Sequence, residues 1–562
     1  MKSKHGSTSG RWTRRAVLKT GFGVAAGTAL MGAPFIITSK KGARLANAYG
    51  QTMPSSGMSG SSVTGPTLTP FKAELPIPPV KSPVPTLNPF PNTSSMQRYN
   101  QFPAQLYYNI VASQALHSFH PDLPLNYIWG FDGLFPGPTL TARYGTPIIV
   151  RFNNALPTGP AVGGFGDPNI TVHLHNVHTG SESNGYPGNF YPPGNYHDNF
   201  YPMMFAGNDP REAMNTLFYH DHRVSFTSQN VYKGLTGFCL FYDALDSGDE
   251  TDTNPSALRL PSGAYDIPLV LADKQFDSNG ALYFDPTDLN GFVGNYFTVN
   301  GVVQPYLKVA RRKYRFRILD GGPSRFYGLQ MSDGRPFTLI ATDGNLLPRP
   351  VTLNTFIMGV AERYDVILDF SNYQIGDQVV LENFLNQTTG RGPTGTLATP
   401  IPLLRFDVDS DAPDPSQVPA TLRPLPIIDV AQAVTTRRFE FNNMAGAWVI
   451  NGRFFDLNRV DALIQEGTSE IWELVNMGAM PGPGGWSHPI HIHEEEFRIL
   501  DRGGAAIPPD EIGRKDVVKL MPGLGTARVF IQFRDFYGEY VFHCHNMVNE
   551  DHAMMGNMLI QS

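Results

Sequence analysis

Cysteine is almost missing from this chain: Cys239 and Cys544 are the only two in 562 residues, too few for a disulfide framework. Beyond the leader, no uncharged apolar run is long enough to span a bilayer, so the body is not expected to insert stably in a membrane. Charged residues make up only 16% against 41% hydrophobic, the balance of a chain with a sizeable core. Basic residues are scarce outside the leader. The first 48 residues hold nine of the 43 lysines and arginines and no acid, leaving 34 against 49 acids in the remainder, a net −15. That excess argues against a nucleic-acid partner. No heptad or exposed helical stripe signals an oligomer, so a monomer is expected. Glycine (56) and proline (48) are abundant and favour turn-rich β architecture. The length predicts two to four domains.

The leader reads as a signal peptide over residues 1–48. Thr13-Arg14-Arg15-Ala16-Val17-Leu18-Lys19 precedes a weakly apolar stretch, and Ala46-Asn47-Ala48 supplies a small-residue cleavage site. The paired arginines resemble bacterial twin-arginine signals, so the folded protein is expected to pass through the Tat machinery to the periplasm or beyond. If uncleaved, the same segment would serve as an N-terminal anchor. Residues 49–99 are rich in Pro, Ser and Gly and predict an extended linker or surface wrap.

Three segments then share a rhythm: Phe131 to Asn154, Val299 to Asp320 and Ile450 to Asn476. Each opens on an [ND]-G turn, continues through a short strand and a break, and closes on a strand ending at Asn or Asp. Tyr314-Arg315-Phe316-Arg317-Ile318 shows the period of two expected of a half-buried strand. Recurrence about every 150 to 170 residues predicts three related β-sandwich domains, at 100–243, 264–408 and 424–562. The acidic stretches Asp243 to Gly263 and Asp407 to Pro424 read as solvated seams between them, and Arg311-Arg312-Lys313 as a solvated turn.

Nine of the fifteen histidines fall into four clusters: His173 and His175, His220 and His222, His488 with His491 and His493, and His543 with His545 around Cys544. Strand residues two apart share a face, so four H-x-H pairs offer eight imidazoles from four strands. One such pair would be ordinary core histidine; four call for metal. Neutral imidazole suits copper, zinc and iron, and a lone thiolate among imidazoles points to a cupredoxin-type copper site. Zinc would more often show paired cysteines. Within His543-Cys544-His545 the sulfur faces one way and the imidazoles the other, so one tripeptide can serve two metal sites.

With these four motifs in order, residues 100 to 562 resemble the multicopper oxidases of the laccase and bilirubin-oxidase group, most closely the bacterial three-domain members. The resemblance implies three cupredoxin-like Greek-key sandwiches, an all-β fold, and four coppers. It assigns the type 2 copper to His173 and His491. The type 3 pair falls to His175, His220, His222, His493, His543 and His545. The type 1 copper is assigned His488, Cys544 and the axial Met554.

Two positions depart from the family. Asn549 stands where the second type 1 histidine belongs, five residues after Cys544, with His552 as a candidate replacement. Asn184 stands where an aspartate assists proton delivery, with Glu182 as a candidate substitute, whereas the other family carboxylate is kept as Glu550. Glu494-Glu495-Glu496 reads as a solvated face or, less simply, as a cation-steering patch beside the type 1 site. His117, His120, His178 and His197 read as surface or hydrogen-bonded histidines, and Cys239 as an inert core thiol. The second domain carries no copper motif and is expected to act as a spacer. Two functions fit. One is an oxidase that takes single electrons from a phenol, pigment or metal ion through Cys544 and reduces dioxygen to water. The other is a non-catalytic copper-binding protein on the same scaffold.

Overall fold

The computed structural model describes residues 63–444, 446–478 and 485–562. The expected signal peptide lies outside them, as do the first residues of the linker.

The three sequence echoes fold alike. In each, the [ND]-G pair has positive φ at both residues: 53° and 70° at Asp132-Gly133, 48° and 77° at Asn300-Gly301, 50° and 70° at Asn451-Gly452. Double positive φ suits the twist of a tight hairpin, and Asn, Asp and Gly tolerate it best. Each turn side chain also repeats one bond. Asp132 Oδ1 accepts from the amide of Val111, Asn300 Oδ1 from that of Val270, and Asn451 Oδ1 from that of Glu440, at 2.7–2.9 Å. In each, the strand that ends the echo pairs parallel to the antiparallel neighbour of the strand leading into the turn: Ile148–Ala155 with Leu106–His117, Lys313–Asp320 with Asp266–Phe276, Ser469–Asn476 with Ala433–Met444.

These units build three two-sheet sandwiches, of four and four strands, eight and five, and six and five. The fold is all-β and cupredoxin-like, with separate cores for the three sandwiches. Where they meet, Phe218, Phe238 and Leu240 from the first pack with Val270, Leu319 and Ala361 from the second and Val517 from the third. Among the described residues only Thr227–Lys233 and Met547–Asp551 are α-helical, and no helix is long and apolar enough to cross a membrane. The described part of the linker wraps the body as short bridges, Glu74 to Tyr306, Val80 to Thr139 and Val84 to Tyr107.

Charge is buried at several places, among them parts of the turn and the seams read as solvated. Arg315 and Arg317, the polar face of the alternating strand, are buried and pair with Asp246, Asp365 and Asp266. Arg312 is buried over the Tyr265 ring at 3.4 Å and bonds to Glu250. The seam acid Asp243 pairs with Arg423, and Asp407 to Ser410 end a strand, Gly395–Ser410. Alternation marks the strand correctly, but it cannot tell solvent from an interface filled with matched charge.

The two helices join the first and third sandwiches. Asp551, on the later helix, accepts from the amides of Thr227 and Ser228 at 2.8 and 2.9 Å and from the Ser228 hydroxyl, capping the earlier helix from another sandwich. Asp551→Ala should strand these donors and cost about 2 kcal/mol, seen as a lower midpoint of thermal unfolding.

Candidate metal centre

The clustered histidines sit where strands of the first and third sandwiches face each other. In the first, Val172–Leu174 and Thr216–Asp221 run antiparallel with His173 opposite His220. In the third, His488–Ile492 and Gly538–Cys544 run antiparallel with His491 opposite His543 and Ile490 opposite Cys544. Alternation then sends His491, His493, His543 and His545 toward the first sandwich, and Cys544 with Ile490 into the third core. The division expected of His543-Cys544-His545 is realised.

Eight imidazoles converge there, all fully buried. His173 stacks on His493 at 3.9 Å and His175 on His491 at 3.7 Å between ring centres. Two triads stand out, each with ring nitrogens within 4.8 Å: His175, His220 and His545, and His222, His493 and His543. His173 and His491 form a further group that shares His493. In the second triad the three Nε2 atoms lie 3.2 Å from one another. The centre of such a triangle is about 1.8 Å from each corner, close to a metal–imidazole bond.

The outer hydrogen bonds fix which nitrogen points inward. His173 Nδ1 donates to the Asn184 carbonyl (2.6 Å), His220 Nδ1 to the Asp221 carbonyl (2.8 Å) and His491 Nδ1 to the Asp516 carbonyl (2.8 Å). A carbonyl only accepts, so each Nδ1 carries the proton and each Nε2 keeps a free lone pair. Those three Nε2 atoms are buried without a hydrogen-bond partner, and so are both nitrogens of His545. Burial drives His173, His175, His222, His491, His493 and His545 well below the ordinary histidine range, and His220 to about 4. Orphaned lone pairs on neutral imidazoles are what a soft-to-borderline cation needs.

Around them sit residues that the motifs do not announce. Asp516 accepts from His175 Nε2 at 3.0 Å and is clamped bidentately by Arg363, at 2.7 and 2.5 Å. Arg363 belongs to the second sandwich, which therefore reaches the cluster through Asp516. An isolated arginine in Glu362-Arg363-Tyr364 gives no sequence signal for this. Glu550 bridges two members of one triad, 3.2 Å from His543 Nδ1 and 3.4 Å from His222 Nδ1. Burial pushes this carboxyl up, but the two histidines outweigh it and hold it near 2.

Asn184 occupies the position of the missing aspartate: its Oδ1 accepts from His493 Nδ1 at 2.8 Å while its carbonyl takes His173. Glu182 does not substitute. Its carboxylate is turned to the backbone and side chain of Gln97, at 2.8 and 2.9 Å. Glu494, Glu495 and Glu496 are all buried, neither a solvated face nor a patch beside Cys544. Glu495 pairs with Arg534, Glu496 with Arg514 and Glu494 with His178. Burial lowers His178, but Asp535 and Glu494 outweigh it and raise it to about 10. His117 and His120 bond to the carbonyls of Gly301 and Thr69, and His197 to the Asn199 side chain.

On the other face of the strand, Cys544 Sγ is 3.4 Å from His488 Nδ1. Burial lowers His488 to about 3 and pushes the Cys544 thiol up, so a thiolate here requires a cation. Met554 is buried in the same core. Asn549 is buried against both Cys544 and His488, while His552 is tied to the Val548 carbonyl at 2.6 Å. Trp448 and Trp486 wall the His488 ring at 5.2 and 6.5 Å, and Arg391 stacks on the half-buried Trp486 at 4.4 Å.

Two family models, both described as multicopper oxidase, match residues 117–245 and 425–562. The chain is 36% identical over 501 residues to the bilirubin oxidase of Albifimbria verrucaria, covering 86% of this chain and 80% of that protein. It is 31% identical to a laccase of Bacillus subtilis, covering 84% and 97%. The solved laccase of Pediococcus acidilactici superposes with a TM-score of 0.73 at 25% identity, covering 89% of this chain and 95% of that one. Homology on this scale, together with four histidine motifs folded into one buried cluster, places the chain in the multicopper oxidase family of oxidoreductases.

Proposed function

We propose that this protein is a four-copper oxidase that takes electrons one at a time from a phenolic or pigment-like reductant beside His488 and delivers them to dioxygen at the histidine cluster. The observation that carries the reading is the pair of faces of one strand: Cys544 against His488, and His543 and His545 within the cluster. Copper would supply the one-electron chemistry at the first site and the reduction of dioxygen by four electrons and four protons to two waters at the second.

The chain's residues define the rest. Cys544, His488 and Met554 would hold one copper. His173 and His491 would hold the second. The triads His175–His220–His545 and His222–His493–His543 would hold the pair. Two peptide links join the Cys544 sulfur to imidazoles of both triads, a short covalent route for electrons. Asn184, Asp221 and Asp516 orient the rings through their outer nitrogens. Glu550, with its oxygens within 3.4 Å of His222 and His543, is the carboxylate placed to relay protons at the cluster, ionised at rest and protonated only in transit.

The surroundings of His488 support this substrate class. Trp486 and the Arg391 guanidinium favour an aromatic, anionic reductant over a metal cation. The acids that could have drawn a cation, Glu494 to Glu496, are locked in ion pairs elsewhere. Export by the twin-arginine route would place the enzyme in the periplasm or outside the cell, acting as a monomer.

The test is copper content, absorption and EPR of the loaded protein, with oxygen uptake on a phenol, bilirubin and ferrous ion. About four coppers per chain and faster uptake on the organic reductants support the reading. Faster uptake on ferrous ion would overturn the substrate class, and copper without uptake on any reductant would favour a binding protein.

Asn184 gives a separate expectation. Aspartate would keep the oxygen that accepts from His493 and replace an amide nitrogen buried without a partner. Asn184→Asp should leave copper content unchanged and raise oxygen turnover about tenfold, because a carboxyl can deliver a proton and an amide cannot.

A further inference from the structure

The loop after Cys544 holds three side chains in fixed relation. The Cys544 amide donates to the Met554 carbonyl at 3.1 Å, and the Met554 amide to the Asn549 carbonyl at 3.0 Å. These bonds close residues 544 to 554 on themselves, with Cys544 and Met554 both in the third core. Asn549 is fully buried there. Its Nδ2 lies 3.4 Å from His488 Nδ1 and 3.9 Å from Cys544 Sγ, and those two atoms are 3.4 Å apart. A point equidistant from all three is about 2.1 Å from each, the length of a bond to a first-row metal.

An amide N–H only donates and cannot bind a cation. Turning the Asn549 amide by 180° exchanges nitrogen and oxygen without moving any other group. It brings to that point Oδ1, an oxygen otherwise buried with no hydrogen-bond partner. His552, the candidate replacement on the same loop, caps the helix Met547–Asp551 and is committed through Nδ1 to the Val548 carbonyl.

We propose that Asn549 binds copper through Oδ1, as a third donor beside Cys544 Sγ and His488 Nδ1. The site is then one thiolate, one imidazole and one amide oxygen, with Met554 in the same buried core. Amide oxygen is a harder donor than imidazole, so this copper differs in kind from one held by two histidines. The proposal rests on the reading that Cys544 binds copper, and the test separates the two.

The experiment is absorption and pulsed ENDOR on the copper-loaded full chain, read at the thiolate-bound copper, for the native protein and three variants. The native protein should show one strongly coupled imidazole nitrogen. Asn549→His should add a second and shift the thiolate-to-copper band. Asn549→Asp keeps an oxygen of the same shape and should retain a single coupled nitrogen. Asn549→Ala should change the band and the copper hyperfine coupling, or lose the copper. A native-like spectrum in Asn549→Ala would overturn the ligand assignment while leaving copper at Cys544 intact. Two coupled nitrogens in the native protein would overturn it as well and point to His552. No thiolate band in any variant, with about three coppers retained, would instead sink the reading that Cys544 binds copper.

Discussion

Cys544→Ser is expected to abolish the thiolate-to-copper absorption, leave about three coppers per chain, and lower oxygen turnover on a phenol by roughly 10³-fold or more. The sulfur does two things that no other atom does. It is the only soft anionic donor beside His488, at 3.4 Å, in a core whose burial keeps the thiol protonated unless a cation displaces the proton. Its backbone also continues directly into His543 and His545. Serine keeps the shape but offers a hard hydroxyl that will not ionise there. The eight imidazoles lie on the opposite faces of their strands and lose no contact, so their metal content should survive. Turnover within tenfold of native, with the band gone, would mean that electrons enter the cluster by another route.

What was legible in the sequence is what short-range pattern encodes. Period two in a strand puts His543 and His545 on one face and Cys544 on the other, and the register pairing His491 with His543 bears that out. The [ND]-G turns were legible for the same reason: two left-handed residues in succession leave few residue types possible. Long-range pairing was not legible. Glu494, Glu495 and Glu496 look like a solvated run because nothing nearby neutralises them, yet Arg514 and Arg534 arrive from distant strands. Arg312, in a turn that reads as solvated, misleads in the same way, since Glu250 reaches it from another segment. Asp516 and Arg363 carry no motif because their task, holding His175 and each other, needs geometry and not spacing. Glu182 and Asn184 mark the limit of nearness in sequence. They are two residues apart, yet one faces Gln97 and the other His493.

His222→Ala should produce the complementary loss: the thiolate band retained, copper reduced by one or more, and turnover down by roughly 10³-fold or more. His222 Nε2 is one corner of the 3.2 Å triangle with His493 and His543, and two corners do not hold a metal as three do. Its Nδ1 also faces Glu550 at 3.4 Å, so removing the ring leaves that carboxylate with His543 alone. The band should survive because Cys544 and His488 belong to the other face of the strands. Cys544→Ser and His222→Ala therefore interrupt one electron route at opposite ends. Combined, they should reduce turnover no further than the worse single variant, since a route already cut gains nothing from a second cut. Multiplying losses would mean that the two faces work independently, and would overturn the claim that the His543-Cys544-His545 strand joins them.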